Sequence, residues 1–155
     1  MYNLQANGLT QALLRSNNPK LYHLCLEPFQ VKKSEIKSLA VGHLLALGKE
    51  LPLLYIYRKG AIVGQAELGR IDDAQVVIIS AKERIANVGK PDAKYIKVES
   101  RIAILPKGRF VVGKLVALPA GSLEHVLLFV KGKIVATAKL VENTEGIFLQ
   151  ITEVV

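Results

Sequence analysis

Tryptophan is absent from this chain, cysteine and methionine occur once each, and aromatic residues make up only 6% of it. A core built without large rings has to be aliphatic, and half of the residues are apolar, with valine, isoleucine and leucine concentrated in the strand-like stretches. Valine and isoleucine favour a pleated, half-buried surface, so the expected protein is rich in β structure. The lone Cys25 excludes an internal disulfide and agrees with a reducing compartment. Nothing around it suggests an activated thiol, and it reads as a small buried hydrophobe. No apolar run approaches the ~20 residues needed to cross a bilayer. The first residues lack the basic start and continuous apolar stretch of a secretory signal, so the expected location is cytoplasmic.

Clustered reactive groups are equally scarce. His23, His43 and His125 lie in unrelated parts of the chain. Only His23 has a cysteine nearby, and no second pair completes a metal-ligand set. The acidic clusters, Asp72-Asp73 and the stretch from Glu142 to Glu145, fall where turns are expected, which favours solvated carboxylates over a general acid/base pair. Gly60, Gly64 and Gly69 stand on a hairpin and not at a strand-to-helix turn, so they make no phosphate loop. These absences argue against an enzyme, and no metal or cofactor is expected.

What the chain does have is positive charge: the net value is +8, with an isoelectric point near 9.6. The densest part is residues 82–114, with nine basic residues against three acidic ones. Lys82, Arg84, Lys90 and Lys94 are its candidate contacts for an acidic partner or for phosphate. A nucleic-acid module would set aromatic platforms among such residues, and this stretch holds only Tyr95 and Phe110. The weightier reading is a solvated surface that keeps an aliphatic protein soluble. A basic β-barrel that binds nucleic acid is the alternative.

The chain also repeats itself. Residues 41–80 (VGHLLALGKELPLLYIYRKGAIVGQAELGRIDDAQVVIIS) align with residues 112–152 once Ser122 is taken as an insertion, at an offset of 71 before it and 72 after it. Thirteen of forty aligned positions are identical, among them Gly42/Gly113, Leu44/Leu115, Lys59/Lys131, Gly60/Gly132, Ala66/Ala138 and Leu68/Leu140. That is a tandem duplication. Each copy is near the size at which a single core is marginal, so the copies are expected to share one.

In chain order, residues 8–15 fit a short amphipathic helix stopped by Ser16-Asn17-Asn18-Pro19. Residues 21–31 alternate with period two until Pro28, and residues 95–104 answer them at an offset of 72. The Leu-x-x-Leu spacing at Leu44/Leu47 and Leu115/Leu118 predicts a short helix or helical turn. Apolar runs then lead into Lys59-Gly60 and Lys131-Gly132, both hairpin signals. On the second return strand Ile134, Ala136, Ala138 and Leu140 share one face. Final strands cover residues 75–80 and 147–152. The expected organisation is an N-terminal helical segment (1–20), a first repeat (21–80), a basic linker (81–94) and a second repeat (95–155).

The repeated pattern itself resembles the SpoA domain of flagellar motor switch proteins and of the sorting-platform (C-ring) component of type III secretion systems. The residues that carry the likeness are Val111, Gly113, Leu115, Leu118 and Gly121, then Lys131-Gly132 and the closing Gly146-Ile147 and Ile151-Thr152, with a more diverged set in the first copy. The resemblance implies a mainly β fold with short helices, in which two SpoA-like units interlock as an intramolecular pseudo-dimer. It implies a non-enzymatic structural or adaptor role with no cofactor. The partners it implies are switch or C-ring proteins and the stalk protein of the export ATPase, met at the cytoplasmic face of the inner membrane, with further oligomerisation open. In the family an apolar patch just after the return strand's Gly-Glu pair helps recruit the stalk protein, and the resemblance puts its positions here at Leu140 and Val141, with Leu68 and Gly69 in the first copy. The family's Gly-Glu pair at that place is replaced by Ala138-Lys139.

Overall fold

The computed structural model describes residues 20–50, 53–59, 61–71, 74–80, 93–106 and 108–155. The helix expected over residues 8–15, the turn at Asp72-Asp73 and most of the linker, with Lys82, Arg84 and Lys90, lie outside these residues. The first half contributes β1 (Tyr22–Leu26), β2 (Phe29–Lys32), α1 (Lys33–Lys37), β3 (Leu44–Gly48), β4 (Leu54–Arg58), β5 (Ala61–Ile71) and β6 (Ala74–Ser80). The second contributes β7 (Tyr95–Arg101), β8 (Ala103–Leu105), β9 (Leu115–Ala117), a 3-10 turn (Ser122–Glu124), β10 (Val126–Val130), β11 (Lys133–Asn143) and β12 (Gly146–Val154). The protein is mainly β, as its composition predicts.

Two six-stranded sheets form, ordered β8-β1-β4-β5-β6-β9 and β2-β7-β10-β11-β12-β3. Each has four strands from one half and an outer strand at either edge from the other half. The exchange is reciprocal down to single hydrogen bonds. Gly42 N–H donates to Ile151 O (2.8 Å) and Gly113 N–H donates to Ile79 O (2.7 Å). Ile151 N–H donates to His43 O (2.9 Å) and Ile79 N–H to Lys114 O (2.9 Å). One continuous cluster of buried side chains draws on both halves, with Leu24, Leu45 and Ile56 from the first and Val98, Leu128 and Leu149 from the second. The shared core follows from size, since neither half has enough apolar surface to bury alone.

The helical turns predicted from Leu-x-x-Leu are strands. In β3 Leu45 is buried while Leu44 and Ala46 are exposed, and in β9 Val116 is buried between exposed Leu115 and Ala117. This is a period of two, and the leucines three apart lie on opposite faces. Their partners, β12 and β6, belong to the other half. A spacing rule confined to one stretch has no access to that pairing. The helix in this region is the short α1, ahead of the leucines.

Both hairpins form, with Arg58 opposite Ala61 in the first, whose Gly60 lies outside the described residues, and with one refinement to the strands that follow. β10 and β11 turn over in two residues, with Val130 opposite Lys133. Both central residues have positive φ, 50° at Lys131 and 77° at Gly132, the condition that matches the twist of the flanking strands. Beyond this turn Val135 is an extra residue, because Leu128 pairs with Ala136 and Phe129 with Ile134. Val63 is the corresponding extra residue between Gly64 and Ile62 in β5. The bulge resets the alternation. Ala136, Ala138, Leu140 and Val135 pack on the main core, whereas Ile134 joins a satellite cluster with Leu127, Phe129 and Ile104. Ile134 is therefore not on the face predicted for it.

The offset of 72 assigned to the first strands is also corrected by register. Leu24 pairs with Ile56 in β4, and Ser100 pairs with Leu128 in β10. Since Ile56 and Leu128 correspond, Ser100 takes the place of Leu24, an offset of 76. A slip of four keeps every side chain on its own face, so alternation alone cannot distinguish the two alignments. The polar residue in this core position is satisfied, as Leu26 N–H donates to Ser100 Oγ at 3.3 Å.

Candidate functional site

Two regions bring together side chains that a core does not need. The first is a cleft of about 550 Å³ beside the crossing of β1 and β7. From β1 come His23 and Cys25, from β4 Tyr57, and from β7 Lys97, Glu99 and Arg101. The alternation that sends Val98, Ser100 and Ile102 into the core sends Lys97, Glu99 and Arg101 to the other side. By the corrected register Glu99 answers His23 and Arg101 answers Cys25, while Phe129 answers Tyr57. Equivalent positions of the two halves therefore meet at this cleft with different chemistry.

Its electrostatics are set by burial and by fixed cations. Arg58 and Lys59 at the end of β4 add to Lys97 and Arg101, and among the described residues of the lining Glu99 is the single carboxylate. Lys97 Nζ lies 3.3 Å from Glu99 Oε1, with both side chains about half exposed. The Arg101 guanidinium stacks on Phe129, 4.3 Å from the ring centroid. Arg58 lies over Tyr22 at 4.9 Å and donates from Nε to Lys20 O at 3.3 Å. Burial pushes the Cys25 thiol up to about 12; Arg101 opposes the shift and Glu99 adds to it. Burial likewise pushes the Tyr57 hydroxyl up to about 12, with Cys25, Glu99 and Tyr55 contributing. Both groups keep their protons near neutrality, so Cys25 is held as a thiol and not as a nucleophilic thiolate. Among the described residues no group of three or more histidine, cysteine or carboxylate side chains is arranged to hold a metal ion.

The second region is the outer face of the second sheet. Val141 pairs with Phe148, which pairs with Ala46; in the next row Lys139 pairs with Gln150 and Gln150 with Leu44. Val141 and Phe148 are half-buried, and Leu44 keeps 44% of its surface exposed. The matching row on the first sheet is Glu67, Ile78 and Leu115.

The sequence-predicted patch divides between faces and sheets. Leu140 lies on the inner face beside Leu149 and packs on the core, and Leu68 does the same beside Val77 in the first sheet. Val141 alone of the three is on an outer face. Lys94 is exposed, and its carbonyl accepts from Lys33 N–H at 2.9 Å. Phe148 and Leu44 escaped sequence reasoning, although the phase of Val141 opposite to Leu140 was a usable signal. His23 and Cys25 were paired by the sequence, but their meeting with Lys97, Glu99 and Arg101 escaped because those residues come from the other half. Among the described residues no helix is long and apolar enough to cross a membrane. Compared with protein-family models and with curated proteins, the sequence matches none of them.

Proposed function

We propose that this protein is a non-enzymatic structural or adaptor component of a flagellar motor switch complex or type III secretion sorting platform, built from two SpoA-like units interlocked as an intramolecular pseudo-dimer. The observation that carries the proposal is the reciprocal exchange of edge strands, since β8 and β9 complete the first sheet and β2 and β3 complete the second. Units that interlock between chains in such assemblies are here joined in one chain, which replaces a concentration-dependent encounter by a tethered one. Partners are other ring or export-apparatus proteins, which hold the chain at the cytoplasmic face of the inner membrane. The contact surface on this reading is the outer face around Val141, Phe148 and Leu44, where apolar side chains remain accessible beside Lys139.

The test uses purified full-length protein and, one at a time, recombinant switch, C-ring and export-stalk proteins from the same cell, with binding followed by biolayer interferometry. Saturable binding to at least one of them is expected. Val141→Asp should weaken it by about tenfold or more while leaving the circular dichroism unchanged, because a charge is placed in the contact and not in the core. Leu140→Asp should lose the fold itself, since it directs a charge toward buried Leu149. Absence of binding to every one of these proteins, with the fold intact, refutes the proposal.

A further inference from the structure

We propose that the cleft between β1, β4 and β7 binds a small molecule or headgroup through its phosphate group. The inference is independent of the assembly role, because the cleft lies beside the β1/β7 crossing and shares no residue with the outer face around Val141 and Phe148.

The cleft has the capacity of a ligand site, about 550 Å³, within the range of small-molecule pockets. Four cationic side chains, Arg58, Lys59, Lys97 and Arg101, line it from two strands and a turn of different halves. Among the described lining residues the cationic side chains outnumber the one carboxylate, Glu99, which is paired with Lys97. Like charges gathered around one concavity repel one another, and an anion placed among them removes that cost. The guanidiniums are also oriented before any ligand arrives. Arg101 rests on the face of Phe129 and Arg58 on the face of Tyr22. Tyr22 is itself braced edge-on by Phe110, with ring centroids 5.0 Å apart. A stacked guanidinium loses less freedom when it binds, and its planar fork matches two oxygens of one phosphate.

The choice of anion follows from charge and donor count. A monocarboxylate offers one charge and two oxygens. A phosphate ester carries about −1.5 to −2 charges and three strong acceptor oxygens near neutrality. That suits two guanidiniums, the ammonium groups and the Tyr57 hydroxyl, which stays protonated and so remains a donor.

The experiment titrates the 15N-labelled full-length protein with sodium pyrophosphate to about 10 mM at constant ionic strength, with sodium acetate as the carboxylate arm. Saturating amide shifts are expected in residues 23–25 and 97–101, with acetate far weaker. Arg101→Gln should reduce the affinity by about tenfold or more, the effect of losing a charge-assisted hydrogen bond. Lys139→Gln, on the outer face of the second sheet, should leave it unchanged. Should Arg101→Gln disturb the circular dichroism, Lys97→Gln, whose side chain is half exposed, provides the same measurement. Co-sedimentation with vesicles containing phosphatidic acid forms the second arm. Arg101-dependent binding there without a response to pyrophosphate identifies a lipid headgroup as the source of the phosphate. Pyrophosphate shifts that fail to saturate together with no Arg101-dependent vesicle binding, shifts that scatter over surface lysines or that acetate reproduces, or an affinity that Lys139→Gln reduces as much as Arg101→Gln overturn the proposal.

Discussion

Cys25 and Tyr57 hold protons that the unfolded chain releases earlier, and this gives them a measurable part in stability. The Cys25 thiol moves from an ordinary value of 9.0 to about 12, and the Tyr57 hydroxyl from 10.0 to about 12. Between those limits the folded protein binds more protons than the unfolded chain, so stability falls as pH rises. Their stabilising contribution is complete below about pH 9 and is lost on the way to 12. Urea titrations between about pH 8 and 11 should show a progressive fall in the unfolding midpoint. In Cys25→Ala the fall should be shallower. An unchanged pH slope in that variant would show that the thiol is not responsible. Residue-scale chemistry of this kind was partly legible from the sequence. Cys25 was readable as a buried hydrophobe because nothing around it suggests an activated thiol, but Arg101 as its neighbour was not, because the two are 76 positions apart.

At the level of elements, the joint between β12 and β3 brings the backbones of the two halves close together. Gly146 opens β12 with φ of 146°, and a Cβ built on it would lie 2.5 Å from the Gly48 carbonyl oxygen at the end of β3. Gly132 in the hairpin also has positive φ, 77°, but open space around it. Gly132→Ala is therefore expected to cost about 1 kcal/mol from backbone conformation alone. Gly146→Ala should cost about 2–3 kcal/mol, because strain and a backbone clash combine. Equal shifts of the urea midpoint for the two variants would contradict this account. The same elements mark how far sequence reasoning reached. Hairpins and long strands were legible from Lys-Gly turns and apolar runs, which are local signals. β3 and β9 were misread because the partners that make them strands lie in the opposite half, and the bulges at Val63 and Val135 leave no local signature.

For the molecule as a whole, duplication does not produce two independently stable units. The first sheet lacks both edge strands without the second half, and the core cluster is continuous between halves. Unfolding should consequently be a single cooperative transition, with far-UV circular dichroism and tyrosine fluorescence coinciding. Two separated transitions would indicate that one half keeps its sheet after the other has melted. The repeat, the β-rich class and the need for a shared core were all readable from identities such as Gly42/Gly113 and from the small size of each copy. Which strands would change places was not, because alternation describes faces and says nothing about neighbours.

The exchanged edges also order events in time. During synthesis β1, β4, β5 and β6 are complete when Ser80 has been added, yet β9 is finished only with Ala117. At about 5–20 residues per second the ribosome takes a few seconds to cover that interval. Over that time the open edge of β6, and until Leu105 completes β8 that of β1, expose unpaired N–H and C=O groups to other nascent chains. A protein wired in this way has its greatest aggregation hazard before release from the ribosome, and holding chaperones would act on it there.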